Sequence, residues 1–202
     1  MIVVALKDRK EDESSGLIAH DFLDPRITDP DQSNVKFANY YQPVRSGPFR
    51  LLLERLNPSL EYAFLDVGAG TGKAMLLAAE FGFKKVRGIE IAKDLCRDAE
   101  INFKKFGSRF PNTKFEMLHG DALNFSFNSD DGFFFLNDPF SEEVFKPFVE
   151  RIEQFRKQTD REILMVYKNN IRRFMPSLEK LKSRCKYSEE DISGNLFQVF
   201  KI

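Results

Sequence analysis

Tryptophan is absent from this chain of 202 residues, and cysteine and histidine occur only twice each. Cys96 and Cys185 lie far apart, and neither belongs to a Cys-x-x-Cys pair. This spacing argues against a zinc centre or a disulfide-rich scaffold and favours two thiols in a reducing compartment. We therefore expect no metal site in the protein.

Net charge and long apolar runs are also lacking. The 31 basic residues balance the 31 acidic ones, so no strong overall field would draw the chain to nucleic acid or to an anionic membrane. No apolar run approaches the ~20 residues of a membrane span, and the opening run of residues 1–6 is too short for a signal peptide. These features predict a cytoplasmic protein with no membrane partner.

Strand and helix patterns alternate from residue 46 onward. The predicted strands cover residues 62–67, 86–91, 114–118, 132–136 and 162–167, followed by two more near 186 and over 196–201. The predicted helices cover 46–56, 73–83, a segment ending at Gly107, 144–155 with Pro147 in its first turn, and 171–182 with a restart at Pro176. Five alternations predict an α/β fold, with a mostly parallel seven-stranded sheet covered by helices on both faces and an antiparallel strand near the C-terminus. Residues 46–202 form the predicted domain, and the polar residues 1–45 form an N-terminal arm that is either a lid or disordered.

The first predicted strand runs into the loop Gly68-Ala69-Gly70-Thr71-Gly72 and then into a helix. Glycines allow a tight turn and a close approach of ligand to backbone, and the helix N-terminus offers amide donors. The dinucleotide fingerprint requires a small residue where this chain has Lys73. The phosphate-binding loop requires glycine and a hydroxyl where Val67 and Ala74 stand. Neither fingerprint fits this loop.

Acidic residues end the next two predicted strands. Glu90 closes the second strand, and Asp121 follows the third within Gly120-Asp121-Ala122. Because the carboxyl ends of neighbouring parallel strands meet at one edge of a sheet, both acids are expected beside the glycine loop. A carboxylate at the end of the second strand can accept hydrogen bonds from both hydroxyls of a ribose.

In this order, these motifs closely resemble those of the class I S-adenosylmethionine (SAM)-dependent methyltransferases over roughly residues 35–202. The resemblance implies a Rossmann-like fold, SAM as the cofactor, and a position at Asp121 that accepts from the adenine amine. A Tyr-x-Pro segment resembles one in a little-characterised bacterial group of the family, where a tyrosine closes over the methionine end of SAM. The implied cofactor-binding residues are Tyr41, Asp66, Gly68, Ala69, Gly70, Gly72, Glu90, Ile91, Asp121, Ala122 and Asn137.

After the fourth strand, Asn137-Asp138-Pro139-Phe140 resembles the (Asn/Asp)-Pro-Pro-(Tyr/Phe) motif of amino-group methyltransferases and the shorter Asn/Asp-Pro-Phe form of the same bacterial group. Asp138 replaces either the first proline or the leading asparagine, depending on the register. A polar side chain here can aim an acceptor lone pair at the methyl carbon, and a ring can stabilise positive charge on the acceptor. Asn137, Asp138 and Phe140 are thus the predicted catalytic residues. The expected acceptor is an amine nitrogen of a protein side chain or small molecule rather than nucleic acid, although a base at Asp138 leaves oxygen acceptors open.

Other functions and roles stay open at this point. A non-catalytic SAM-fold module that binds partners is one alternative, and a nicotinamide-dependent oxidoreductase, which Lys73 disfavours, is another. Phe140 is alternatively a core residue. Lys168 and Asn169, at the end of the fifth strand, are predicted to lie in a solvated loop, with contact to the acceptor as the alternative. His119 is predicted to be structural, with a role as a base as the alternative.

Overall fold

The structure is a computed structural model that describes residues 10–20, 23–28, 33–159, 161–168 and 174–202. It contains the predicted seven-stranded sheet. The strands are β1 (Ala63–Val67), β2 (Lys85–Glu90), β3 (Lys114–His119), β4 (Asp131–Leu136), β5 (Leu164–Lys168), β6 (Lys186–Ile192) and β7 (Asn195–Lys201). The main helices are α1 (Ser46–Leu56), α2 (Lys73–Phe81), α3 (Lys93–Phe106), α4 (Glu142–Gln158) and α5 (Pro176–Lys182).

The strand order across the sheet is β3-β2-β1-β4-β5-β7-β6. Strands β1 to β5 pair in parallel, whereas β7 runs antiparallel to both β5 and β6. The order reverses between β1 and β4, and at such a switch point the following loops diverge and leave a crevice beyond the carboxyl ends of the strands. The topology therefore places a ligand site above β1 and β4.

Phenylalanine fills the space between the sheet and its helices. Every residue of β1 and β4 is buried, because both faces of the sheet are covered, and this explains why these strands are continuous apolar runs rather than alternating ones. Phe64 of β1 stacks on Phe133 of β4 with 5.2 Å between ring centroids. On the opposite face, Phe134 packs in the cluster that contains Phe148 and Ile152 of α4.

Of the two predictions about prolines in helices, one is wrong and the other is confirmed. Pro147 was expected in the first turn of its helix, but α4 begins at Glu142 and Pro147 lies in the second turn. The Ser141 carbonyl accepts from the amides of Val144 and Phe145, so the helix is already established when it reaches the proline, and a buried apolar face carries it onward. The predicted restart at Pro176 is confirmed, because α5 begins there; residues 169–173 lie outside the described part of the chain.

The described part of the N-terminal arm is structured and packs on the domain. Residues 10–15 are helical, Pro25–Thr28 forms one helical turn, and Val35–Phe37 forms a 3₁₀ turn. Isolated β-bridges join Leu23 to Tyr41 and Ala38 to Phe140. Among the described residues, no helix combines the length and apolarity needed to cross a membrane.

Candidate functional site

A cleft opens above the carboxyl ends of the central strands. This is the position at which ligands usually bind in open α/β sheets. The predicted site residues that line it are Tyr41, Gly68, Glu90, Ile91, Asp121, Ala122, Asn137, Asp138 and Phe140. The arm contributes one wall, since Asn34 and Asn39 line the same cleft. The structure thus brings together residues from four strands and from the arm.

The remaining predicted residues lie beside or beneath the cleft. Asp66 and Ala69 line an adjoining recess. A Cβ atom on Gly70 would lie 2.1 Å from a ring carbon of Tyr41, and one on Gly72 would lie 2.5 Å from the Phe103 ring. Both glycines also have positive φ angles, which other residues rarely adopt. These two glycines therefore make room for aromatic rings.

Glu90 ties the glycine loop to the end of β2. Its Oε2 accepts from the Gly70 amide at 2.8 Å, and its Oε1 accepts from the Ala92 amide at 2.9 Å. Burial raises the pKa of this carboxyl, although these amide hydrogen bonds act in the opposite direction. The carboxylate is thus oriented by the backbone while it faces the cleft.

Asp66, in β1, is a buried carboxylate to which no described residue donates a hydrogen bond. Burial raises its pKa well above the ordinary value, and the nearby charge of Glu90 raises it further. Lys73 lines the same recess but its Nζ donates to Asp12 of the arm at 2.5 Å. The recess therefore suits a ligand that brings its own positive charge, as the ammonium and sulfonium groups of SAM would.

Asp121 follows β3 and is only 6% exposed. Its Oδ1 accepts from the Leu123 amide at 2.8 Å. Its Oδ2 accepts from Nδ2 of Asn34 at 2.6 Å. The carboxylate that the family resemblance assigns to the adenine amine is thus bonded to a side chain of the arm.

Asp138 adopts a φ of 49°, which a proline ring cannot reach. It is therefore not the conformational equivalent of the first proline of the amino-methyltransferase motif. Its Oδ1 accepts from the Tyr167 hydroxyl at 2.8 Å and from Asn39 Nδ2 at 3.0 Å. Through these hydrogen bonds the carboxylate links the arm to β5. A direct role of Asp138 toward a methyl acceptor stays a prediction.

Asn137 and Phe140 lie on either side of Asp138 in the sequence. Nδ2 of Asn137 donates to the Gln42 carbonyl at 2.7 Å, and the side chain lines the cleft. Phe140 lines the cleft and also contacts Phe148 edge to face, at 5.8 Å between centroids. It combines the cleft-facing and core positions that the sequence left as alternatives.

Several arm contacts have no counterpart in the sequence analysis. Asn102 of α3 is fully buried; its Nδ2 donates to the carbonyls of Ile18 and Thr71, and its Oδ1 accepts from the Ile18 amide. His20 lies 2.7 Å from Asp98. These partners are about 80 residues apart in sequence, so no local pattern marks them.

Lys168 and His119, at the ends of β5 and β3, differ in burial. Lys168, predicted to be solvated, is buried at the end of β5. Burial and, to a lesser extent, the charge of Arg45 lower its pKa to about 8, while Asp138 opposes the shift. Asn169 lies outside the described residues. His119 is exposed, with Nε2 3.1 Å from the Ile91 carbonyl.

Comparisons with known proteins identify solved structures that share this fold. No family model matches the chain, and no curated protein does. An RNA methyltransferase from Salinibacter ruber, solved with S-adenosyl-L-homocysteine (SAH), is 20% identical at a TM-score of 0.57, covering 79% of this chain and 93% of its own. A SAM-dependent methyltransferase from Aquifex aeolicus is 17% identical at a TM-score of 0.54, covering 77% and 88% respectively. The chain therefore has the Rossmann-like fold of these methyltransferases, which confirms the predicted fold class.

Proposed function

We propose that this protein is a SAM-dependent methyltransferase that binds SAM in the cleft above β1 and β4. The proposal is carried by one observation: Glu90 and Asp121, at the ends of β2 and β3, both face the cleft. The buried Asp66 carboxylate, to which none of the described residues donates, adds a position suited to a cation. The structural neighbours provide independent support through their fold.

Each residue has a defined task in this proposal. Glu90 accepts from the ribose hydroxyls, Asp121 accepts from the adenine amine, and Asp66 attracts the positively charged methionine end. Tyr41, whose hydroxyl lies 2.9 Å from Thr71 Oγ1, covers that end and excludes water. When bound, SAM supplies a methyl group already activated by the sulfonium.

We further propose that the acceptor is an amine nitrogen of a protein side chain or small molecule. The chain then has to hold the acceptor lone pair in line with the methyl carbon. The Asn137 carboxamide lines the cleft and supplies an oxygen for an amine N–H, and the Phe140 ring can stabilise charge on the nitrogen by about 0.5–2 kcal/mol. Asp138 contributes by fixing the turn that carries both residues.

Isothermal titration calorimetry tests the cofactor assignment. Wild-type protein is expected to bind SAM and SAH with micromolar affinity. The Glu90→Ala variant loses the ribose acceptor, and each hydrogen bond to a charged group contributes about 1.5–3 kcal/mol, so binding is expected to weaken by roughly 100-fold or more. Glu100→Ala, on the exposed side of α3, is the matched control and should bind as wild type does. Absence of binding at millimolar ligand would falsify the assignment.

A second experiment tests methyl transfer. Radiolabelled SAM is incubated with wild-type protein and separate protein, metabolite and RNA fractions of a lysate, and mass spectrometry identifies the labelled product. Label in an amine of the protein or metabolite fraction supports the proposed acceptor; label in RNA contradicts that choice but not methyl transfer. Binding without transfer to any fraction favours a non-catalytic module. A fluorescence titration with NADH, expected to show no binding, tests the nicotinamide alternative.

A further inference from the structure

The side chain of Asn34 is placed unusually for its position. Asn34 is the N-cap of the 3₁₀ turn Val35–Phe37, yet its side chain makes no capping hydrogen bond, which is the ordinary use of asparagine at a helix start. Its Nδ2 instead donates to Asp121 Oδ2 at 2.6 Å, across 87 residues of sequence. The side chain is thus directed into the cleft.

The carboxamide of Asn34 has the chemistry of the edge of an adenine base. It presents an NH₂ donor next to an acceptor oxygen, as adenine presents its amine next to a ring nitrogen. In the structure, this donor contacts the same carboxylate that the proposed function assigns to the adenine amine. Asn34 therefore occupies the position of the ligand's own donor.

Sharing of Asp121 between the two donors is restricted. The carboxylate is 6% exposed, and Oδ1 already accepts from the Leu123 amide. Oδ2 is the oxygen that Asn34 holds. Each carboxylate oxygen has two lone pairs, but so little of Asp121 is exposed that an adenine amine approaching Oδ2 from the cleft competes with the Asn34 donor for the same space.

The exchange does not require the arm to detach. The turn after Asn34 is fixed independently, because the Ser141 amide donates to the Phe37 carbonyl at 2.9 Å and the Asn39 amide donates to the Pro139 carbonyl at 3.0 Å. Rotation of the Asn34 side chain is enough to release Asp121. The Asn34 side chain can therefore leave Asp121 while the backbone of the arm stays in place.

We propose that Asn34 sets the affinity for the cofactor by competing with the adenine amine for Asp121. This inference rests on the proposed function. Without cofactor, the Asn34–Asp121 bond is formed; with cofactor, Asn34 is displaced. Because the binding-competent state is only a fraction of the free protein, the apparent affinity is lowered by that fraction. The same competition favours release of the adenosyl product.

Calorimetric titration of SAH and of 5′-methylthioadenosine into Asn34 variants tests the proposal. Asn34→Ala is expected to lower both dissociation constants by roughly 3- to 10-fold, because the competing donor is gone. Asn34→Ser keeps a good N-cap residue and should tighten binding in the same way, which covers the case in which the alanine variant folds poorly. Asn112→Ala, in an exposed turn, is the control and should match wild type.

A double variant separates the exchange from a general loosening of the arm. In an Asp121→Ala background, removal of the Asn34 carboxamide is expected to leave the dissociation constant unchanged. Tightening in that background would overturn the proposal, as would equal or weaker binding by both single variants of Asn34. A wild-type protein that binds neither ligand is a different outcome, since it removes the proposed function itself.

Discussion

In the proposed function, Asp66 serves a ligand at the expense of the stability of the free protein. No residue in the described part of the chain donates to this buried carboxylate. Burial of its charge therefore destabilises the free protein, because the charge has lost water without gaining a hydrogen bond there. We expect Asp66→Asn to raise the free energy of unfolding by about 1–2 kcal/mol near neutral pH and to weaken SAM binding. Urea denaturation and calorimetry measure the two effects. Asp94→Asn, at the exposed pair with Arg97, is the control and should change stability by less than about 0.5 kcal/mol.

The pH dependence of the same variant follows from the raised pKa of Asp66. A carboxyl whose folded pKa exceeds its unfolded pKa favours folding at low pH, and this contribution is lost as the pH rises through the folded value. The advantage of Asp66→Asn over wild type is therefore expected to be largest above the raised pKa and to shrink as the pH falls through it. Urea denaturation at a series of pH values measures this difference, and an advantage that grows toward low pH would contradict the assignment.

Asp138 gives a second prediction at this scale, one that opposes the family motif. Asp138→Pro restores the double proline of the amino-methyltransferases, but the φ of 49° is inaccessible to proline and the bonds from Tyr167 and Asn39 are lost. We expect a loss of roughly 3 kcal/mol or more in unfolding free energy. Asp138→Asn tolerates the left-handed conformation and keeps an acceptor, so its loss should be far smaller. Similar stability of the two variants in chemical denaturation would show that the turn is not constrained as described.

Between elements, the buried pair of Lys73 and Asp12 joins the arm to the start of α2. Lys73 is 4% exposed, so Asp12→Ala leaves a buried charge without this carboxylate, and we expect a loss of about 3–5 kcal/mol. The double variant Asp12→Leu/Lys73→Met removes both charges and should lie within roughly 1–2 kcal/mol of wild type. Thermal and urea unfolding measure both. A double variant as unstable as the single one would show that the pair matters for more than its charges.

The elements themselves were largely predictable, and the reason is local. The strands β1 and β4 are buried on both faces, so their apolar runs identify them without any tertiary information. The prediction that Pro147 lies in the first turn was wrong, because a buried apolar face extends α4 across a residue that usually ends helices. The arm was not predictable beyond its polarity, since the Asn102 contacts with Ile18 join residues 84 positions apart. Its polar side chains suggested solvent but in fact bind other parts of the chain.

The site residues likewise divide into those that the local sequence predicts and those that it does not. Glu90, Asp121 and the glycine loop follow strand ends, and their convergence comes from parallel strands sharing an edge. Asn34 and Asn39 complete the cleft from the arm, where no periodicity or motif marks them. Local sequence predicts the floor of this cleft, whereas its cover depends on pairings that only the folded chain reveals.

Across the whole molecule, the cleft and the β6–β7 hairpin lie in different parts of the sheet. Strands β5 and β7 separate β4 from β6, so a ligand above β1 and β4 makes no direct contact with β6. Hydrogen exchange reports such differences, because edge segments exchange through local opening and ligands slow only the openings that break their contacts. The predicted role of residues 1–45 as a lid therefore predicts slower exchange in the arm when ligand binds, with no change in the β6–β7 hairpin.

We expect saturating SAH to slow amide exchange in residues 33–45 and in the loops after β1, β2 and β3. At a ligand concentration about 100 times the dissociation constant, openings that release ligand become roughly 100-fold rarer. Peptides from Lys186–Ile192 provide the internal reference and should exchange at an unchanged rate. Glu90→Ala protein treated with the same SAH concentration should be slowed by at most about twofold. Protection of the strand loops without protection of residues 33–45 would mean that the arm packs on the domain but does not close over the ligand.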